Sequence, residues 1–218
     1  MIRNRLAEIM FERDIKVVRL SKETGISRNT ITNTASNNSE MLQLNTINKI
    51  CKFLNITPCD FFEYIPVDIE LTFLEDEKIE LVEIYSKEYL LQPKFNCDLL
   101  IDIKERENSY SFDTQIKIDT SNVLSNFPTP DFMEDDYQEK HIDIEIVFYS
   151  VEDKENFVEQ FNKIPKQFKK MIYNDLIDQY RKFLLSYFKP NDNPFIISNH
   201  QLVKDMHINL INDEFKFF

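Results

Sequence analysis

The pattern of hydrophobic and polar positions along the chain changes near Pro66. Before this residue, apolar side chains recur at helical spacing, as at Leu6, Ile9 and Met10, and this spacing predicts short amphipathic helices. From Val67 onward, apolar and polar residues alternate, which predicts half-buried β-strands. We therefore expect an all-α domain over residues 1–65, followed by an α+β domain over residues 66–218.

Five helices are predicted in the first domain. Apolar spacing and capping residues place them at Arg3–Arg13, Val17–Thr24, Arg28–Ala35, Thr46–Leu54 and a short segment that begins at Pro58. Thr57 suits the N-cap of the last helix, and proline suits its first position because the N–H there has no helical partner.

Gly25 stands between the second and third of these helices and is the only glycine among 218 residues. A turn that keeps glycine when every other turn uses another residue is expected to need a positive φ. Ser27 follows as a good N-cap, and Ile31 is expected to face the core from the next helix. Two short helices joined by one tight turn form the helix-turn-helix arrangement of DNA-binding proteins.

The outer side of the second helix of this pair is predicted to read DNA. Arginine can pair bidentately with guanine, asparagine can pair with adenine, and threonine offers both a methyl and a hydroxyl group. The residues expected to read bases are Arg28, Asn29, Thr32 and Asn33. Those expected to hold phosphates are Ser27, Asn37 and Asn38, although a merely solvated loop is an equally good interpretation for the loop that carries the last two.

Two stretches of sequence, KETGISRNTIT and TPCDFFEYIP, carry a resemblance to a known family. Through them, residues 1–65 resemble the lambda-repressor/Cro-like (Xre) helix-turn-helix DNA-binding domains. The family often has alanine where Ser21 stands and a large aliphatic residue where Thr34 stands. The second departure predicts that the recognition helix ends early or packs more weakly.

In the second domain, alternating stretches predict an antiparallel sheet. They lie at Val67–Phe73, Leu99–Ile103, Tyr110–Phe112, Gln115–Ile118 and His141–Phe148. Residues 121–139 are expected to form a long surface loop. After Pro165, an aromatic-rich stripe predicts an amphipathic helix of about 23 residues. This helix either only covers one face of the sheet or also forms a dimer interface.

Charge is divided unevenly between the two domains. Residues 1–65 contain nine Lys and Arg against seven Asp and Glu, whereas residues 66–218 contain 17 against 31. Basic groups bind polyphosphate by releasing counterions, so DNA contact is expected in the first domain alone. The acidic domain is expected to dimerise the chain or to sense an unknown small-molecule or protein effector.

Composition excludes several classes of enzyme. Walker loops, dinucleotide fingerprints and nucleophile elbows all need several glycines, so no catalytic residues and no cofactor are predicted. The three cysteines include no C-x-x-C pair and the three histidines form no ligand cluster, so no metal site is predicted. The chain has neither a signal peptide pattern nor a long apolar run, and we expect a cytoplasmic protein without membrane contact.

These features favour a sequence-specific, repressor-like transcriptional regulator that binds double-stranded operator DNA as a homodimer. An alternative is a toxin-neutralising or protein-interaction module, in which the acidic domain holds a basic partner and the DNA-binding head supplies autoregulation. An enzyme domain tethered to DNA would require a cluster of carboxylates or histidines that the sequence alone does not show.

Overall fold

The structure, a computed structural model, describes residues 1–37, 41–74, 81–84, 88–91, 97–118, 141–187 and 203–215. The chain divides into two compact units, Met1–Val67 and Asp68–Phe218. The predicted surface loop at residues 121–139 and the candidate phosphate contact Asn38 lie outside the described residues.

The first unit is helical, with one short β-ribbon. Its helices are α1 (Leu6–Glu12), α2 (Val17–Thr24), α3 (Arg28–Ala35), α4 (Leu44–Leu54) and α5 (Pro58–Phe61). Strand β1 (Ile2–Asn4) pairs antiparallel with β2 (Phe62–Tyr64). The capping prediction for α5 is confirmed, because Thr57 and Asp60 form a reciprocal capping box and Pro58 occupies the first turn.

The start of α1 differs from the prediction, since Arg3 is not helical. It lies in β1 opposite Glu63 and is buried, with its guanidinium 2.7 Å from a carboxylate oxygen of Glu8 and 2.5 Å from one of Glu63. Asn4 precedes the N-cap residue Arg5, and its Oδ1 accepts a hydrogen bond from the N–H of Leu6, the first residue of the helix. The strand partner lies about 60 residues away, which local periodicity does not reveal.

The second unit combines strands with two packed helices. Its elements are β3 (Val67–Leu74), β4 (Leu81–Ile84), β5 (Glu88–Leu91), β6 (Cys97–Glu105), β7 (Ser109–Ile118), β8 (His141–Phe148), α6 (Val151–Asn162), α7 (Lys166–Tyr187) and β9 (His207–Leu210). A 3-10 turn at Asp213–Phe215 follows. Strand β3 begins at Val67, the last residue of the first unit.

Five of these strands form one sheet in the order β3-β6-β7-β8-β9. The pairs β6–β7 and β7–β8 are antiparallel, as predicted, but β8 and β9 are parallel. The prediction of an antiparallel sheet therefore holds for these two strand pairs and not for β8–β9. Helices α6 and α7 separate β8 from β9 along the chain, and a long crossover of this kind is what allows two consecutive strands of a sheet to run in the same direction.

Helix α7 covers the inner face of this sheet. Tyr180 and Phe183 stack against Phe73 of β3, while Ile172 and Leu176 line a small apolar cavity together with residues of β3, β6 and α6. None of the large apolar side chains that are exposed in the described part of the chain belongs to α7. Its aromatic stripe is thus used mainly in the core. None of the described helices combines the length and apolarity needed to cross a membrane.

Candidate nucleic-acid interface

The turn between α2 and α3 is built around Gly25. This residue ends α2 with φ of +69°, which confirms the predicted positive φ, and its N–H donates to the carbonyl of Ser21 at 2.9 Å. An added Cβ would meet no atom within 4 Å, so the backbone angle and not lack of space favours glycine here. The Ser21 hydroxyl donates to the carbonyl of Ile26 at 2.7 Å and so links α2 to the residue that follows Gly25.

Helix α3 begins where the sequence predicted. The hydroxyl of Ser27 accepts a hydrogen bond from the N–H of Thr30 at 3.1 Å and so caps the helix. It also lies 2.8 Å from the Thr30 hydroxyl. Ser27 is exposed at this position, but its hydroxyl already has two partners in the fold.

The two sides of α3 have opposite characters. Arg28, Asn29, Thr32 and Asn33 are all exposed, and we call these four residues the outer face. At 3.6 residues per turn they lie within an arc of about 140°, with Ile31 and Thr34 on the other side. Both of the latter are buried, at 0% and 1% exposure. The helix runs to Ala35, the predicted end, so of the two effects expected of Thr34, an early helix end and weaker packing, the early end is wrong.

The charge around α3 is positive. Residues 15–54, which contain α2, α3 and α4, include six Lys and Arg against two Asp and Glu. Arg28 occupies the first turn of α3, where no acidic residue balances it. A cation at this end opposes the helix macrodipole and is usually unfavourable for stability. Arg28 therefore gains nothing from the helix macrodipole at this position.

The structure adds residues that the sequence analysis did not select. An open depression lies beside the start of α3 and is lined by Thr30 together with Gln43, Asn45 and Lys49 from the start of α4. The sequence predicted that this helix begins at Thr46, two residues too late, so Gln43 and Asn45 were left outside it. The backbone N–H groups of the first turn of a helix and a lysine side chain, here Lys49, both suit contact with phosphate oxygens.

Asn37 has a role in the fold that the sequence analysis missed. It adopts φ of +58°, and its side-chain amide bonds to Asn4 of β1 by accepting from the N–H at 2.8 Å and donating to the carbonyl at 3.0 Å. The half-buried amide of Asn37 is thus occupied within the fold, whereas the sequence predicted that it would contact phosphate.

The described residues contain no group of three or more His, Cys, Asp or Glu side chains arranged to hold a metal ion. All three cysteines are free thiols. Burial and the neighbouring Asp98 raise the pKa of Cys97 to about 12, so this thiol stays protonated at neutral pH.

Residues 5–67 match the Cro/C1-type HTH DNA-binding domain family. This segment contains the turn, the outer face and the depression described above. The expectation of a lambda-repressor/Cro-like helix-turn-helix segment is confirmed. No curated protein and no solved structure gives a significant match to the chain.

Proposed function

Because residues 5–67 form a Cro/C1-type DNA-binding domain, we propose that the chain is a sequence-specific, repressor-like transcriptional regulator that binds operator DNA as a homodimer. In this proposal it acts in the cytoplasm and carries out no catalysis. Occupation of a promoter by the bound protein is the regulatory event.

The outer face of α3 is the observation that carries the proposal. An α-helix with its side chains is about 10 to 12 Å across, which fits the width of about 12 Å of the major groove. Its exposed side presents one guanidinium, two amides and one hydroxyl, all of which can pair with base edges. We assign base contacts to Arg28, Asn29, Thr32 and Asn33, and phosphate contacts to Ser27, Asn38 and the depression beside α3. Asn37 receives no such assignment, because its amide is bonded to Asn4.

Dimerisation follows from the size of this contact. One short helix buries little surface, and regulators of this type gain affinity by presenting two recognition helices one helical turn of DNA apart. We assign this role, or that of sensing an effector, to the acidic second unit, which has a separate core. Its negative charge, 17 basic against 31 acidic residues in 66–218, would oppose non-specific binding to DNA.

One side of the five-stranded sheet favours a second candidate function. This is the side opposite α6 and α7, and it carries acidic residues on four strands: Asp68, Glu70, Asp98, Asp102, Asp113, Asp143 and Glu145. Two lysines share this side: Lys104 pairs with Glu70, and Lys117 lies opposite Glu145, which leaves an excess of acidic residues. Such a surface suits a basic protein, as a toxin-neutralising or protein-interaction module would require. Co-purification of one basic protein in stoichiometric amount would favour this alternative.

The main proposal is tested by titrating labelled duplex DNA with the Arg28→Ala variant at near-physiological salt. On an operator obtained by selection with the wild-type protein, the variant is expected to lose about 1 to 3 kcal/mol of binding free energy, with a smaller loss on random duplex. Arg106→Ala, which removes the same charge from the exposed β6–β7 turn, is the control and should bind as wild type does. Equal operator affinity for Arg28→Ala and wild type would refute the assignment.

A further inference from the structure

We propose that Asn4 and Asn37 form an amide bridge that positions the C-terminal end of the recognition helix, and that the reading of bases by Asn33 depends on it. The inference rests on the proposed DNA-binding function. It makes Asn4 and Asn37 positioning residues, since they act through the outer face of α3 and not by touching a base.

The bridge joins β1 to the last turn of α3. Asn4 is 4% exposed, and its Nδ2 donates at 2.7 Å both to the carbonyl of Thr34 and to the Oδ1 of Asn37. Asn37 returns a hydrogen bond to the Asn4 carbonyl. The Asn4 backbone N–H donates to the same Oδ1. Two side chains therefore make four hydrogen bonds between residues that lie 30 or 33 positions apart in sequence.

Ala35, partly buried against the core, is the one apolar side chain in the last turn of α3, so apolar contact at this end is small. Ile31 is the one apolar side chain of the helix that is fully buried, and it lies in the middle. The other buried side chain is Thr34, which is polar. At the opposite end, the cap of Ser27 and the turn at Gly25 already fix the helix. The C-terminal end has the amide bridge in their place.

Position matters here because hydrogen bonds to bases tolerate little displacement. A donor and acceptor that move from about 2.9 Å to beyond about 3.5 Å no longer form a hydrogen bond. Asn33 lies one residue before Thr34, whose carbonyl the bridge holds. Loss of the bridge should thus weaken contacts made by Asn33, while those made by Arg28 at the capped end remain.

The test uses the full chain and the Asn37→Gly variant. Glycine keeps the left-handed backbone at φ of +58° but removes the amide. Asn55→Gly is a matched control, because Asn55 is also left-handed, at φ of 51° after α4, and is exposed. Affinity for the selected operator and for random duplex is measured for each protein, and their ratio is the readout.

We expect the ratio to fall about tenfold in Asn37→Gly, with binding to random duplex unchanged, and to stay at the wild-type value in Asn55→Gly. In the Asn33→Ala background, Asn37→Gly should cause no further loss, because the residue through which it acts is already gone. Additive losses, or an unchanged ratio in Asn37→Gly, would overturn the positioning role.

A second variant covers the case in which Asn37→Gly fails to fold. Asn4→Asp keeps the oxygen that accepts from Leu6 but lacks the Nδ2 donor, and the same loss in ratio is expected. A wild-type protein that prefers no duplex would refute the proposed function and the positioning role together. A wild-type preference that both bridge variants retain would refute the positioning role alone.

Discussion

Thr34 offers a test of how α3 is held in the core of the first unit. Its side chain is 1% exposed, and among the described residues its hydroxyl is buried without a hydrogen-bond partner. Such a group has lost its hydration and gained nothing in exchange. Replacing the hydroxyl by a methyl group of similar shape, as in Thr34→Val, should therefore stabilise the unit.

The expected gain is about 1 to 2 kcal/mol. Leaving a buried hydroxyl unsatisfied costs about 1 to 3 kcal/mol, part of which the slightly larger methyl group would offset by crowding its neighbours. Thr and Val have similar helix propensities and the same branching at Cβ, so these contributions cancel. The complementary variant is Thr34→Ser, which keeps the hydroxyl and loses the methyl group. It should lower the free energy of unfolding by about 1 kcal/mol.

Native-state hydrogen exchange measures both variants in the full chain without interference from the second unit. The slowest amides of α1, α3 and α4 exchange through global opening of the first unit. In Thr34→Val their exchange should slow by about tenfold, corresponding to 1.4 kcal/mol. Faster exchange in Thr34→Val than in wild type would show that the hydroxyl has a stabilising partner, and the reasoning would be refuted.

Two further predictions concern one buried and one half-buried polar side chain. Asn212 accepts from the N–H of Ile146 at 2.6 Å and donates to its carbonyl at 2.9 Å. Asn212→Ala should therefore lower the free energy of unfolding of the second unit, measured in urea, by about 2 to 5 kcal/mol. The exposed control Asn209→Ala should change this free energy by less than about 0.5 kcal/mol. Equal effects of the two variants would contradict this. Burial raises the pKa of Glu8, but hydrogen bonds and charge from Arg3 outweigh burial and leave that pKa below its usual value. The ionised Glu8 carboxylate therefore stabilises the first unit at pH values above its unfolded-state pKa, and this stabilisation is lost as pH falls through its folded-state pKa. Amide exchange in the first unit should respond less to acid in Glu8→Gln than in wild type. An identical response in the two proteins would contradict this.

The helix-turn-helix was predictable because its signals are local. Gly25, the Ser27 cap and the spacing of Ile31 act within a few residues of one another, and they fixed α3 to its observed ends, Arg28 and Ala35. The outer face followed from helical periodicity alone.

The features that sequence analysis missed depend on distant partners. Arg3 was predicted to begin the first helix, but its partner Glu63 lies across the β1–β2 ribbon. Asn37 looked like a free loop residue because its partner Asn4 lies 33 positions earlier. In the same way, alternation of apolar residues predicts a strand but not its direction, so the parallel pairing of β8 and β9 could not be foreseen.

The central claim is that the outer face of α3 reads DNA sequence. It is tested most directly by selecting binding sites from random duplex DNA with wild-type protein and with Arg28→Ala, at the same near-physiological salt. We predict a two-fold symmetric motif for wild type, and for the variant the same motif with preference lost at one base pair of each half-site. Identical motifs from the two proteins, or no enriched motif from folded wild-type protein, would contradict the claim.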